Sequence, residues 1–137
     1  MALSLREQQT IFAKNIGLLI GYVFSQGYEI TLSEAYRTPL QAWVNGLPKG
    51  SLIVAETPSG VKVEWTEKVG GIGSAKSLHK LRLALDINLF TKEGAYLTDE
   101  VHHKKFGDYW KSLHELNRHG GDFGDSNHFS MTYGGVS

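Results

Sequence analysis

The chain contains no cysteine. That excludes a disulfide framework, a thiolate metal site and a cysteine nucleophile together, so any metal must be held by His, Asp or Glu. It also lacks a surplus of either charge, since fourteen Lys and Arg balance fourteen Asp and Glu. There is no overall basic field of the kind that drives non-specific binding to nucleic acid, and no such partner is expected. Long apolar runs are missing too. The longest, 16–24, is broken by Gly17 and Gly21 and falls well short of the roughly 20 residues a membrane span needs, so no stable membrane insertion is expected. The glycines at 70–73 match neither the phosphate-loop pattern nor the dinucleotide fingerprint. Nor does the N-terminus read as a signal peptide, because Glu7 and a polar run stand where a basic segment should lead into an apolar one. The protein is expected to stay where it is made until something else releases it.

What is present suits one domain over residues 1–137, long enough for a real hydrophobic core. Ser4-Leu5-Arg6-Glu7 matches a capping box, and Leu5, Phe12, Ile16, Leu19, Ile20 and Val23 then recur at helical spacing up to Gly27. Residues 29–35 alternate, with Ile30 and Leu32 on one side, and predict a strand that leaves Arg37 at or just beyond its end. Between Pro39 and Ser74 the signals are mixed. They suggest a short helix over 40–45, a hairpin of 52–55 with 61–65 closed through Pro58-Ser59-Gly60, and a flexible loop at 69–74. Residues 83–90 read as a buried strand. Thr98 can cap a second helix with an apolar face of Val101, Phe106, Trp110, Leu113 and Leu116, ending at Gly120-Gly121. A closing strand pair near Asp122-Phe123 and over 128–133 completes an α+β layout, a small antiparallel sheet with helices packed on it.

His79, Asp86 and His128 are the candidate metal ligands. Two imidazoles and one carboxylate leave a fourth zinc position open for water, the catalytic rather than the structural pattern. Zinc brings the pKa of that water toward neutrality, and a nearby carboxylate can take its proton as it attacks a carbonyl. Asp125, three residues before His128 across a tight turn, suits that role without being a ligand. On spacing alone other readings stay open: a surface His79, an Asp86 that caps a turn, a hydrogen-bonded strand His128. Yet Asp86 lies within the apolar run Leu83-Ala84-Leu85-Asp86-Ile87, where an unpaired carboxylate costs several kcal/mol, and a metal is one good partner.

The segment from Ser77 through His79 and Ala84 to Asp86 resembles the S-x-H-x-x-G-x-A-x-D signature of the LAS zinc peptidases. That family includes D-Ala-D-Ala dipeptidases, D,D-carboxypeptidases and phage L-alanyl-D-glutamate endopeptidases. Gly120-Gly121-Asp122-Phe123 followed by Asp125-Ser126-Asn127-His128-Phe129 is similar to the ending of the phage enzymes, and Tyr36-Arg37-Thr38 with Gln41 is similar to their Y-R-[ST]…Q segment. The three motifs stand in the family's order and span about two thirds of the chain. The resemblance implies a fold like that of hedgehog and D-Ala-D-Ala peptidase domains. It implies Zn2+ on His79, Asp86 and His128, Asp125 as general base, Arg37 on a substrate carboxylate or the attacked carbonyl oxygen, and Ser77 and Gln41 beside the substrate. Arginine is chemically apt, because its planar fork suits a carboxylate and its fixed charge can stabilise an oxyanion.

The partner implied is the peptidoglycan stem peptide, and the ending motif tilts the expectation to a monomeric phage endolysin that cuts the L-Ala–D-Glu bond. Such an enzyme would accumulate in host cytoplasm and act on the wall after another protein opens the membrane. A D,D-carboxypeptidase is the nearest rival. A non-catalytic zinc module, as hedgehog domains resemble, and a metal-free binding domain are the others.

Two positions depart from the family pattern. Arg82 stands where glycine is common, which predicts an altered loop path or an added charge in the cleft. Ser130 follows His128-Phe129 where many relatives have Glu. Of the other histidines, His103 and His114 are expected to be solvated on the second helix, His102 and His103 cannot share one helical face, and His119 is expected to cap helix carbonyls. Tyr109 and Trp110 read as core packing.

Overall fold

The first helix begins where the capping box demands. In a computed structural model that describes residues 2–48, 50–66 and 77–136, Ser4 Oγ accepts from the Glu7 amide while the Glu7 carboxylate accepts from the Ser4 amide. Helix α1 runs over Leu5–Ser25 and buries Gln8, Phe12, Asn15, Leu19 and Val23, a stripe at helical spacing. Gln8 is accommodated there because its Nε2 donates to Thr132 O at 2.9 Å. Among the described residues no helix is long and apolar enough to cross a membrane.

By its internal packing the chain divides into two compact units, one of Met1–Arg37 with Leu78–Ser137 and one of Thr38–Ser77. The second holds helix α2 (Pro39–Asn45) and an antiparallel hairpin of β2 (Leu52–Glu56) and β3 (Lys62–Thr66), as the sequence suggests. The loop expected at 69–74 lies outside the described residues.

The first unit is α+β, with a five-stranded antiparallel sheet. Strands β1 (Tyr28–Leu32), β4 (Ala84–Thr91), β7 (His128–Met131) and β6 (Asn117–His119) lie in that spatial order, and β5 (Tyr96–Leu97) also pairs with β4. Strand β1 stops at Leu32, which is exposed rather than buried. The residues expected to extend it, 33–35, are irregular and lead to Arg37. In β4, Leu85, Ile87 and Leu89 are buried while Asp86 and Asn88 between them are half-buried, the alternation of a pleated strand.

Helix α3 (Glu100–Leu113) departs from expectation at both ends. Asp99, not Thr98, caps it by accepting from the His102 amide at 2.8 Å. Val101 is 81% exposed and belongs to no apolar face. The helix stops at Leu113, so Leu116 lies beyond it, and residues 117–119 form an edge strand instead of a last turn. Strand β6 therefore takes the place expected for Asp122-Phe123, which lie in a 3-10 turn over Gly120–Phe123. The core closes around Trp110, which meets Phe12 and Phe129 edge-on and whose Nε1 donates to the carbonyls of Arg118 and Ser130. Tyr109 stacks on Tyr22, so both aromatics of the pair pack as expected.

Candidate metal centre

Antiparallel pairing of β4 with β7 sets Asp86 directly opposite His128, with Leu85 opposite Phe129. Side chains opposite one another share a face of the sheet, so both project where the hydrophobic alternation leaves polar residues. His128 Nδ1 lies 3.1 Å from Asp86 Oδ1.

The third member arrives from a short 3-10 turn over Leu78–Leu81. That turn ends in a Schellman arrangement, in which the Leu83 amide donates to Leu78 O at 3.0 Å and the Arg82 amide to His79 O at 3.2 Å. Such an ending needs a left-handed residue between, and Arg82 supplies it with φ 57°, the one non-glycine residue of positive φ among the described residues. Its guanidinium stands 4.2 Å from the centre of the Tyr36 ring. The expected change of loop path is therefore not needed, because Arg82 takes the backbone conformation that a glycine would adopt without strain.

His79 is 2% exposed. Its Nδ1 donates to Ala35 O at 3.0 Å, which orients the ring so that Nε2 lies 3.4 Å from Asp86 Oδ1. Anchoring one imidazole nitrogen on a carbonyl while the other is turned to a carboxylate is how proteins orient metal-binding histidines. The stretch 33–37 is tied to the same place. Ser33 N donates to Asp86 O, Asp86 N to Glu34 O and Arg37 N to His79 O, at 2.9, 2.8 and 3.1 Å.

The ligand atoms of His79, Asp86 and His128 all lie within 4.8 Å of one another, and among the described residues they form the one group of three that could hold a metal ion. Tetrahedral zinc with ligands at about 2.0–2.1 Å places neighbouring donors about 3.3 Å apart. The two spacings to Asp86, 3.1 and 3.4 Å, bracket that value. Hydrogen bonds of protonated imidazoles span similar distances, so the same cluster can hold either protons or a cation. Its electrostatics favour positive charge. Burial works against the Asp86 charge, but hydrogen bonds from His128 and then His79 outweigh it and hold the carboxyl down at about 2. Burial also works against a charged His79, yet the Asp86 carboxylate and the Ala35 carbonyl prevail and raise its pKa.

Arg37 joins this centre through a partner that the sequence reading missed. Its Nε donates to Glu34 Oε1 at 2.8 Å and its Nη2 to Glu34 Oε2, a two-pronged pair in which the arginine side chain is 11% exposed. The hydrogen bond from Arg37 lowers the Glu34 pKa against the opposing effect of burial. Arg37 is also close enough to Asp86 for their charges to interact. The E-x-x-R spacing was the available signal.

Asp125 lies in the turn that the His128 amide closes on Asp125 O at 3.1 Å, and it is exposed. The turn is seated on Gly120, whose carbonyl accepts from the Asp125 amide at 2.7 Å. A Cβ at Gly120 would fall 2.0 Å from Asp125 O, so only glycine permits this approach. Gln41 and Ser77 belong to the second unit, where Gln41 is exposed and its amide donates to Thr38 Oγ1 at 3.1 Å. All three ligand candidates belong to the first.

Two histidines were misread. His103 is buried, its Nδ1 donating to Asp99 O at 2.7 Å, and is not solvated. His119 caps no helix; it is a buried residue of β6 whose Nε2 donates to Ser126 O at 2.6 Å. Ser130 is fully buried, and its hydroxyl has no hydrogen-bond partner among the described residues. No known family model matches the chain, and no curated protein does.

Proposed function

We propose that this protein is a zinc peptidase of the LAS type that cuts the L-Ala–D-Glu bond of peptidoglycan stem peptides, acting as a monomeric phage endolysin with a fold like that of hedgehog and D-Ala-D-Ala peptidase domains. The observation that carries the reading is the convergence of the ligand atoms of His79, Asp86 and His128 within 4.8 Å of one another, with His79 anchored through Nδ1 on Ala35 O so that Nε2 is turned to Asp86. The left-handed Arg82 adds support, because it lies where the resembled signature has glycine and meets the same backbone demand. The Glu34-braced guanidinium beside Asp86 supports the role of Arg37.

Zinc held by the three ligands would supply Lewis acidity, acidifying water and polarising a carbonyl. Asp125 takes the proton of the attacking water and returns it to the leaving amine. Arg37, its fork directed by Glu34, offsets the negative charge that grows on the carbonyl oxygen. Gln41 and Ser77 are proposed as substrate contacts on the resemblance alone. The enzyme would accumulate in host cytoplasm and reach the wall once another protein opens the membrane.

The test is mass spectrometry of fragments released from purified Gram-negative peptidoglycan by the zinc-loaded protein. Free stem peptides beginning at D-glutamate support the reading. Release of terminal D-alanine alone would move the protein to the carboxypeptidases, and no release with zinc still bound would make it a binding module.

A further inference from the structure

A glycine inside a helix costs about 1 kcal/mol relative to alanine, so its presence asks for a reason. Gly107 lies in the middle of α3. A Cβ there would fall 2.1 Å from His119 Nδ1, and a Cβ at Gly121 would fall 2.6 Å from His119 Cε1. The imidazole is thus held between two positions that have no side chain, 3% exposed and tilted against the Phe129 ring at 4.8 Å. Its Nε2 meets Ser126 O at 2.6 Å. A carbonyl only accepts, so Nε2 carries the proton. Burial lowers the pKa of this ring, which agrees with a neutral imidazole whose single N–H is committed to Ser126.

Ser126 directly follows Asp125. The backbone ties of this turn include Gly124 N and Asp125 N to Gly120 O, His128 N to Asp125 O, which closes it, and Ile87 N to Asn127 O. Among the described residues the His119 bond is the one made by a side chain, and it reaches the carbonyl next to the exposed carboxylate. We propose that His119, seated between Gly107 and Gly121, is a positioning residue that holds the 124–127 turn so that Asp125 meets its water at the right distance. The proposal rests on Asp125 being the base. A misplacement of 1 Å can cost about 100-fold in rate.

Two substitutions of His119 separate positioning from bulk. In His119→Phe the space is filled but no proton is offered to Ser126. In His119→Gln the side-chain amide offers one from nearly the place of Nε2. With the zinc-loaded full chain, His119→Phe is expected to lose about 10- to 100-fold in kcat with KM and zinc affinity unchanged, and His119→Gln to recover most of it. Amide exchange of 124–127 should quicken in His119→Phe and not in His119→Gln. Should either variant fail to fold, Gly107→Ala gives the same test: it should lower kcat alone in the wild-type chain and change nothing further in a His119→Ala background. Equal kcat for His119→Phe and wild type, or equal exchange in both, would overturn the proposal. If the wild-type chain hydrolyses nothing while exchange still quickens in His119→Phe, the peptidase reading fails and the clamp on the turn stands.

Discussion

Asp86 and His128 face each other across the β4–β7 pair with 3.1 Å between Oδ1 and Nδ1, and His79 approaches the same oxygen at 3.4 Å. One carboxylate therefore serves two imidazoles, and its behaviour with pH follows. The Asp86 pKa is depressed to about 2, so its stabilising effect is complete above the ordinary carboxylate value of about 3.9 and is lost as pH falls through about 2. The His79 pKa is raised, so its contribution is complete below the ordinary value of about 6.5 and is lost as pH rises through the folded value. Urea unfolding of metal-free protein should show an acid loss on the order of 2 kcal/mol between about pH 4 and pH 2 and a second decline on the alkaline side. Zinc should abolish the alkaline decline, because it replaces the proton of His79, and its affinity should weaken on acidification. Stability indifferent to pH across both windows would contradict this account of the cluster.

Arg82 offers a test of backbone strain. A left-handed L-residue costs roughly 1–2 kcal/mol, whereas glycine adopts that conformation freely. Thermal unfolding should therefore find Arg82→Gly more stable than Arg82→Ala by about 1 kcal/mol. Arg82→Ala keeps the strain and loses the contact with Tyr36, so it should fall below wild type by about 0.5–1 kcal/mol. An alanine variant as stable as the glycine variant would remove the Schellman argument.

Glu34 braces Arg37 through both oxygens. Cutting the brace with Glu34→Ala should lower kcat/KM on stem peptide by about 10- to 100-fold and stability by about 1–3 kcal/mol, while isothermal titration finds zinc affinity unchanged. Full activity in this variant would mean that Arg37 needs no brace.

Gly120 lies under the Asp125 turn, where a Cβ would meet Asp125 O at 2.0 Å and His128 Cβ at 2.8 Å. Gly120→Ala must shift backbone, not a flexible side-chain end. It should cost about 1–3 kcal/mol and also weaken zinc binding through His128, whereas Gly21→Ala on α1, with open space around it and no positive φ, should leave zinc affinity intact.

Much of this architecture was legible where a local rule acts alone. The S-x-x-E box predicted the start of α1, and the apolar run around Asp86 predicted β4 and marked that carboxylate as needing a partner. The end of α3 was not legible, because the next glycines after Leu113 are Gly120 and Gly121 and the strand between, Asn117–His119, is three polar residues with no hydrophobic alternation to reveal it. His103 and His119 were misjudged for a related reason. Their burial comes from tertiary neighbours, the Asp99 carbonyl for one and the Ser126 carbonyl with Gly107 and Gly121 for the other, and polarity alone says nothing of these. The brace of Arg37 by Glu34 was visible as a spacing but gained meaning only when residues 33–37 were found pinned to Asp86 and His79.

The central claim, zinc-assisted hydrolysis with Asp125 as base, is tested most directly by comparing wild type and Asp125→Ala on a synthetic stem peptide that contains the L-alanyl-D-glutamyl bond. Zinc content after dialysis is measured in both. The account predicts equal zinc in the two proteins, cleavage at that bond by wild type, and a rate lower by about 100- to 10,000-fold in Asp125→Ala. Equal cleavage by both proteins, or a wild-type chain that retains no zinc, would contradict it.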